Sequence, residues 1–496
     1  MEHSDEQFET LATTLRIPVQ DDLSEYMPVT EYVRHFDIAF SRDHKVLLMQ
    51  LPAGPALAVC DLKGVQKLDL IRRRLGVAIE LLRTSEAELF AAINRAYESR
   101  NSETQQFIDS LDDVQLRIDE NDIAADDLLD SDGRGPIVRM VNLILFEAVK
   151  AKASDVHIQP SESRVAVRQR IDGVLFDSFE IPKHMQEQVL TRIKVLGGMD
   201  IAEKRLPQDG RATIHVGDRE IDLRIASLPT SHNERIVIRL LDRSARLYRL
   251  GELGMDGASL EQYRRLIQLD HGMLLVTGPT GSGKSTTLYA SLLEVNTTDL
   301  NVLSIEDPIE YQLAGVSQTQ INEKKGMTFA AGLRSVLRQD PDIIMVGEIR
   351  DAETASMSVQ ASLTGHLVFS TLHTNDAASA VTRLLDLGIE PYLVSSSLVA
   401  VLAQRLVRRI CRDCAGAGCP ECRQTGFRGR LGIFELLTVN DDIRTLIQNR
   451  SNAASIREVA VAGGMTLLRE DGLRKVEANE TTMEEINRVS GIVEGV

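Results

Sequence analysis

Residues 278 to 286, Gly-Pro-Thr-Gly-Ser-Gly-Lys-Ser-Thr, carry the strongest chemical signal in the chain. The spacing from Gly278 through Gly283 to Lys284 and Ser285 is the phosphate-binding pattern G-x-x-x-x-G-K-[ST]. Glycines let backbone amides approach phosphate oxygens, and a helix that begins near Lys284 directs its positive end at the same anion. In this pattern the lysine reaches the β- and γ-phosphates and the serine hydroxyl binds Mg²⁺. The predicted nucleotide-binding residues are Gly278, Pro279, Thr280, Gly281, Ser282, Gly283, Lys284, Ser285 and Thr286.

Carboxylates follow two other apolar runs, and a nucleotide-hydrolysing site needs such groups near its metal ion and its attacking water. The run at 343–346 leads to Glu348, a Walker B-like arrangement in which Glu348 would hold Mg²⁺ or its water. A second run is followed by Glu306, Asp307 and Glu310. Because the carboxyl ends of parallel strands meet at one edge of a sheet, we expect these acids near the γ-phosphate.

Two histidines flank a further apolar segment, His366 before it and His373 after it. Histidines in proteins are often structural, so neither position identifies a catalyst by itself. We expect both histidines at the same edge of the nucleotide-binding sheet, which favours a γ-phosphate sensor or a water-orienting role. His373 follows the carboxyl end of the predicted strand and is therefore the candidate.

Four of the five cysteines form the pattern Cys411-x-x-Cys414-x4-Cys419-x-x-Cys422. Two C-x-x-C pairs supply four thiolates, which suits tetrahedral Zn²⁺ and leaves no open coordination position for catalysis. We predict a structural zinc site at these residues. Four reduced cysteines without metal are the alternative.

The elements that must position these groups alternate between strand and helix patterns from about residue 250 to 400, which predicts a parallel sheet with crossover helices. Strands are predicted at 273–277, 301–305, 342–346 and 366–371. Upstream, an amphipathic helix and alternating strands predict an α+β domain, with a loop at Leu206 to Arg211. The predicted domains are 1–100, a docking domain; 101–134, an acidic linker; 135–242, the α+β domain; 243–405, the core; 406–435, the tetracysteine element; and 436–496, a helical region.

Composition narrows the class of protein. The chain has 496 residues and a formal net charge of −17, so it is too long for one core and too acidic to coat nucleic acid or an anionic membrane. No stretch approaches the length of apolar sequence that a membrane span requires. The first residues also lack a signal-peptide core, so we expect a cytosolic protein.

Three motifs, together with the phosphate loop, resemble the secretion and pilus-motor ATPases, a hexameric P-loop family that drives type II secretion and type IV pili. Residues 305–311 resemble the family's Asp box, 343–350 its Walker B motif and 364–375 its His box. Residues 203–242 are most similar to the type II secretion members. The resemblance implies an α/β fold: a RecA-like P-loop ATPase core, preceded by an α+β domain and a small docking domain, and followed by a zinc-binding and helical region.

The same resemblance implies roles for individual residues. Arg224 and Arg239 occupy strand positions that supply arginines to the nucleotide, Glu310 activates the attacking water, and Glu348 holds the metal. ATP, Mg²⁺ and Zn²⁺ are the implied cofactors. The implied partners are other copies of the chain in a hexamer, the cytoplasmic domain of a bitopic inner-membrane secretion protein and the inner-membrane platform protein. Attachment to the inner membrane would then be peripheral and through these proteins. The spacer between the cysteine pairs is shorter than type II secretion ATPases usually carry.

Three alternatives to a type II secretion ATPase stay open. A type IV pilus assembly ATPase shares the catalytic motifs. A nucleic-acid motor is disfavoured by the acidic balance and by the lack of basic clusters flanked by aromatic residues. A nucleotide-gated scaffold would keep the binding loop but need no hydrolysis.

Overall fold

The computed structural model describes residues 17–98 and 135–490, with gaps at 21, 24–25, 37, 53, 217–218, 243–246, 256 and 296–297. The chain divides into two compact units, Met1–Ser244 and Ala245–Val496. The predicted acidic linker, 101–134, lies outside the described residues. Within the described ranges, no helix has the length and apolarity needed to cross a membrane.

The first part of the chain forms a four-stranded sheet. Its strands are β1 (Met27–Pro28), β2 (Val46–Leu51), β3 (Gly54–Val59) and β4 (Glu80–Arg83). Its helices are α1 (Thr30–His35), α2 (Ile38–Asp43), α3 (Leu62–Val65), α4 (Leu68–Leu75) and α5 (Glu86–Glu98). The strands lie in chain order, and only β3 and β4 pair in parallel. The first four residues of β2 are all buried, as expected of a continuous apolar run in a strand covered on both faces.

A six-stranded antiparallel sheet follows, in the order β7-β6-β5-β10-β9-β8. Its elements are α6 (Pro136–Lys150), β5 (Asp155–Pro160), β6 (Arg164–Ile171), β7 (Val174–Pro182), α7 (Gln186–Leu196), β8 (Gln208–Val216), β9 (Arg219–Thr230) and β10 (Asn233–Asp242). Alternation places Ile221, Leu223 and Ile225 of β9 in the core, so Arg224 lies on the opposite face. This is the predicted α+β region.

The loop predicted at Leu206 to Arg211 is partly wrong, because Gln208 to Arg211 open strand β8. The strand lies at the sheet edge and pairs only with β9, from Gln208 opposite Ser227 onward. A Cβ at Gly210 would lie 2.4 Å from the carbonyl oxygen of Gly197. Gly210, inside the predicted loop, therefore permits a close approach of two backbones inside the sheet.

The second unit is built on a seven-stranded sheet. Its strands are β11 (Gly272–Thr277), β12 (Val302–Glu306), β13 (Val316–Gln320), β14 (Ile343–Val346), β15 (Leu367–Leu372), β16 (Leu398–Ile410) and β17 (Phe427–Thr438). Its helices are α8 (Gly257–Leu266), α9 (Lys284–Glu294), α10 (Phe329–Val336), α11 (Ala352–Leu363), α12 (Ala377–Asp386), α13 (Pro391–Ser397), α14 (Asp441–Gln448), α15 (Ala453–Ala462), α16 (Leu468–Glu477) and α17 (Met483–Ser490).

The strand order is β13-β12-β14-β15-β11-β16-β17, and every pair is parallel except β16 with β17. Successive residues of β11 pack on opposite faces. Met273 and Leu275 contribute to a core under α10 to α15, whereas Leu274 and Val276 contribute to one under α8 and α9. The sheet is therefore the middle layer of an α/β sandwich, and the carboxyl ends of β11, β12, β14 and β15 share one edge.

The four cysteines lie at the turn of the β16–β17 hairpin, which belongs to this same sheet. The hairpin runs through the boundaries predicted near residues 405 and 435. The finer domain boundaries of this unit otherwise stay predictions.

Candidate nucleotide and zinc sites

The phosphate loop connects β11 to α9 at the carboxyl edge of the sheet. Gly278, Gly281 and Gly283 have φ values of 154°, 80° and 88°, which residues other than glycine rarely adopt. A Cβ at Gly278 would also lie 2.6 Å from the carbonyl oxygen of Gln404 on β16. Strand β16 therefore packs so closely under the loop that the loop must begin with glycine.

Lys284 occupies the first turn of α9 and is 8% exposed. Its Nζ donates to the carbonyl oxygens of Gly278 and Pro279, at 2.8 and 3.1 Å. Burial lowers the pKa of Lys284 to about 8, with Glu348 opposing the shift and Arg405 adding to it. An ammonium group held only by neutral carbonyls is prepared to bind an anion.

Two serines in the loop fit a nucleotide phosphate and its metal ion. Ser285 is exposed beside the buried lysine. Ser282 is 3% exposed, and its Oγ has no hydrogen-bond partner within the described part of the chain. A buried hydroxyl without a partner is uncommon in a finished core, so this atom is an observation of the structure that favours a bound ligand.

Glu348 lies two residues beyond β14, where the sequence places the Walker B acid. Its carboxylate accepts hydrogen bonds from Nη2 of Arg350 and, at 3.3 Å, from Nε2 of His373. Burial would raise the pKa of Glu348, but the bonds from Arg350 and His373 outweigh it and lower that pKa. The structure thus brings Glu348 and His373 together and leaves Glu348 charged at neutral pH.

Hydroxyl groups connect the three strand ends. Thr277, the last residue of β11, shares a 2.7 Å hydrogen bond with Thr374 and accepts from the Thr374 amide at 3.0 Å. Thr371 on β15 donates to the carbonyl oxygen of Gly347 at 2.8 Å. The segment that carries His373 is therefore hydrogen-bonded both to the strand that leads into the phosphate loop and to the turn that carries Glu348.

His366 lies at the opposite end of β15 from His373. Its Nδ1 is 2.8 Å from the carbonyl oxygen of Ala361, near the end of α11. The expectation that both histidines share the nucleotide edge is therefore wrong for His366. Because the two residues precede and follow one strand, they lie at its two ends.

The acids of the Asp box separate into different environments. Glu306 is the last residue of β12 and only 4% exposed, and its oxygens accept from the side chains of Tyr289, Ser304 and Gln318. Glu310 is half-buried, and its backbone amide donates to the Tyr289 hydroxyl at 3.1 Å. Glu306 is thus bound by three side chains inside the protein, and Glu310 is held beside the helix that follows the phosphate loop.

Arg224 and Arg239 are direct cross-strand neighbours on β9 and β10. Arg211 on β8 extends the row on one side, opposite Arg224. On the other side, Arg239 donates from Nε to Asp155 at 3.0 Å. The sheet face therefore carries adjacent arginines, and their role at a nucleotide stays a prediction.

The four cysteine sulfurs lie within 4.8 Å of one another. The Sγ–Sγ separations are 3.9 Å for Cys411 and Cys419, 3.7 Å for Cys414 and Cys422, and 3.7 Å for Cys419 and Cys422. A tetrahedron with Zn–S bonds near 2.3 Å has edges of about 3.8 Å. The donor set and its spacing therefore fit one zinc ion, even with the short spacer.

Backbone amides stabilise the sulfurs of this element. The amides of Cys419 and Gly426 donate to Sγ of Cys422 at 3.1 and 3.3 Å. Burial opposes ionisation, but these bonds lower the pKa of Cys422 to about 6. Arg428 also connects the two cysteine pairs, with Nη1 2.9 Å from Asp413 and 3.3 Å from Glu421.

Comparison with known proteins gives the same family. Residues 130–488 match the family model described as "Type II/IV secretion system protein". The chain belongs to this family. It is 46% identical over 457 residues to the type II secretion system protein HxcR of Pseudomonas aeruginosa, covering 90% of this chain and 95% of that one. It is 45% identical over 441 residues to the type II secretion system ATPase E of Vibrio cholerae, covering 83% and 88%.

A solved structure of the pilus retraction motor PilT with bound ADP matches 71% of this chain and 97% of its own, with 28% identity and a TM-score of 0.51. The prediction of a secretion-family ATPase, with a RecA-like P-loop core and a tetracysteine element, is confirmed. The roles of the individual site residues stay predictions.

Sequence reasoning missed several residues of this secretion-family site. Gln404 and Arg405 on β16 pack against the phosphate loop: Gln404 accepts from Thr287 at 2.6 Å, and buried Arg405 donates to the carbonyl oxygen of Asn375 at 2.6 Å. Their segment is a long apolar run, and the strands predicted from the sequence do not include it. Only the strand order places it beside β11.

Proposed function

We propose that this protein hydrolyses ATP to drive pseudopilus assembly and protein export by a type II secretion system. The observation that carries the proposal is the sheet edge where buried Lys284, ionised Glu348 and His373 meet, in a chain of the secretion family. Relatives named for type II secretion match at 43–49% identity, whereas the solved pilus motor matches at 28%. The names of these secretion relatives support the secretion function.

The residues divide the chemistry as follows. Lys284 and the loop amides bind the phosphates, and Ser285 and Glu348 would hold Mg²⁺. The metal ion neutralises charge on the phosphate oxygens when bound. Glu310 accepts a proton from the attacking water, and His373 reports the γ-phosphate to Glu348 through their shared hydrogen bond.

The test uses a Lys284→Ala variant in a strain that lacks the natural gene. We expect export to stop and ATPase activity to fall to background, because the β- and γ-phosphates lose their cation. Lys324→Ala, which removes an exposed lysine outside the site, is the matched control and should keep both activities. Export by both Lys284→Ala and Glu348→Gln would show that hydrolysis is not required and would support the nucleotide-gated scaffold instead.

We also propose that the ATPase works as a hexamer in which Arg224 and Arg239 contribute to phosphate binding. Their adjacent positions on one sheet face support the proposal. Arg224→Ala should lower kcat by about 10³-fold, the usual effect of losing an arginine that contacts the transferred phosphoryl group. Arg219→Ala, on the same strand and paired with Asp242 at 3.5 Å, should not. Mass photometry with a non-hydrolysable ATP analogue measures the assembly, and persistence of a monomer would contradict the ring.

Zinc at the four cysteines is proposed from their sulfur spacing. Metal analysis should find one zinc ion per chain, and none in a Cys411→Ser, Cys422→Ser variant. Loss of zinc should lower the melting temperature without abolishing ATP binding, because the element lies at a hairpin turn. Full retention of melting behaviour after chelation would favour four reduced thiols.

The first hundred residues are proposed to dock on the cytoplasmic domain of a bitopic inner-membrane secretion protein, with the platform protein receiving the motion. Their position ahead of the α+β domain and their separate four-stranded sheet support this. Co-purification of the full chain with inner-membrane secretion components should be lost when residues 1–98 are removed, while ATP binding remains. Recovery of the same components by the shortened chain would refute the docking proposal.

A further inference from the structure

A buried hydrogen-bond network lies beneath the Asp box, and its centre is Tyr289 on α9. Tyr289 is 2% exposed, and its hydroxyl donates to Oε2 of Glu306. The same hydroxyl accepts from the backbone amide of Glu310 at 3.1 Å. One side chain of the phosphate-loop helix therefore contacts both the end of β12 and the residue proposed to activate water.

The direction of the Tyr289 hydrogen bond is fixed by its surroundings. The other oxygen of Glu306 accepts from Ser304 and, at 3.0 Å, from Nε2 of Gln318. Gln318 in turn accepts from the Leu313 amide at 2.7 Å and donates to the Tyr311 carbonyl at 3.0 Å. A backbone amide only donates, so the Tyr289 oxygen accepts from Glu310 and directs its own proton to Oε2 of Glu306.

The ring of Tyr289 also limits movement of the Asp box. It packs edge-on against the ring of Tyr311, with centroids 5.7 Å apart. Burial, with a further contribution from Glu306, raises the pKa of Tyr289, so the hydroxyl keeps its proton at any physiological pH. Glu310 and Tyr311 are thus held from one side by a single rigid residue.

We infer that Tyr289 is a positioning residue for hydrolysis: its hydroxyl places Glu310 relative to the phosphates that the beginning of the same helix binds. The inference rests on the proposed role of Glu310. Lys284 and Tyr289 are one and a half turns apart on α9, so a fixed helix sets the separation between the phosphate-binding end and the Asp box. A misplacement of about 1 Å in such a group costs about 10²-fold in rate.

The experiment compares Tyr289→Phe with two matched controls in the full-length protein. Tyr263→Phe removes another fully buried hydroxyl, bonded to Ser291 of the same helix at 3.0 Å but away from the Asp box. Ser304→Ala removes a donor from Glu306 but leaves the bond between Tyr289 and Glu310. We expect Tyr289→Phe to lower kcat by 10- to 100-fold with KM for ATP within twofold, and both controls to stay near the parent value.

Combining Tyr289→Phe with Glu310→Gln separates positioning from general stability. A residue that acts through Glu310 should cause little further loss once Glu310 is removed. The inference is overturned if Tyr289→Phe loses no more activity than Tyr263→Phe, if Ser304→Ala reproduces its loss, or if its loss only follows a lower melting temperature. An additive loss in the double variant also overturns it. A fully active Glu310→Gln protein would overturn the role of Glu310 as well, whereas an inactive one leaves that role intact.

Discussion

Two glutamates follow neighbouring parallel strands of the core, and their environments differ. Glu306 ends β12 and is almost completely buried, and among the described residues its carboxylate accepts only from neutral groups, Tyr289, Ser304 and Gln318. Glu348 lies beyond β14, is 17% exposed at its side chain, and accepts from Arg350 and His373. A position at the carboxyl edge of the sheet therefore does not make an acid functional. Partial exposure and a charged partner, Arg350, distinguish Glu348 from Glu306.

Glu348→Gln is expected to give the largest effect in this comparison. The amide cannot supply the negative charge that holds Mg²⁺ or its water, so kcat should fall by about 10³-fold, the size of loss seen when one electrostatic group is removed from a preorganised site. ATP binding should survive, because Lys284 and the loop amides are unchanged. A coupled-enzyme ATPase assay measures the first quantity and a fluorescent ATP analogue the second.

The control for this variant is Glu458→Gln, which changes an exposed carboxylate on α15. It should keep the parent rate. If Glu348→Gln also kept that rate, the proposal that Glu348 takes part in hydrolysis while Glu306 only supports the Asp box would be wrong.

His373→Gln is expected to have an intermediate effect, about tenfold on kcat. Glutamine can still hydrogen-bond to Glu348 but places its donor at a different position from the imidazole Nε2, so the 3.3 Å contact with the acid is disturbed. His366→Gln is the matched control, because His366 bonds to α11 at the other end of β15. Equal losses in the two variants would contradict the assignment of His373 to the nucleotide edge.

Much of the candidate nucleotide site could be predicted from the sequence. The glycines, Lys284 and the apolar runs predicted the loop, its flanking strand and helix, and the edge at which Glu348 and His373 meet. The spacing could not show that Glu306 is buried while Glu310 is only half-buried. The burial of Glu306 depends on Tyr289 and Gln318, which lie on other elements of the fold. Nor could the spacing place β16, since an apolar run carries no information about which strand it will join.

Glu306→Gln should act on stability more than on rate. One oxygen becomes an NH₂ group facing hydroxyl donors, so at least one buried hydrogen bond is lost, at a cost of about 1–3 kcal/mol in the free energy of unfolding. Chemical denaturation, followed at the unfolding transition of the second unit, measures this change in the free energy of unfolding. A kcat within about threefold of the parent, per folded molecule, is expected if Glu306 only supports the Asp box. A rate loss as large as that of Glu348→Gln would remove the distinction between the two acids.

Near physiological pH, the smallest expected effect is the pH dependence of nucleotide binding, which comes from Lys284. Because burial lowers its pKa to about 8 and ATP prefers the charged form, affinity should be nearly constant below pH 7. It should weaken about twofold at pH 8 and about tenfold at pH 9, as the fraction of protonated Lys284 falls. Isothermal titration calorimetry in buffers of different ionisation enthalpy should detect proton uptake on binding above pH 8.

The two glutamates can be distinguished by the same titration. Glu348 raises the pKa of Lys284 by stabilising its charged form, whereas Glu306 does not contribute to that pKa. Glu348→Gln should therefore move the midpoint of the affinity profile to lower pH, and Glu306→Gln should leave it unchanged. If the midpoint moved equally in both variants, the electrostatic field at Lys284 would come from all the acids at this sheet edge rather than from Glu348 alone.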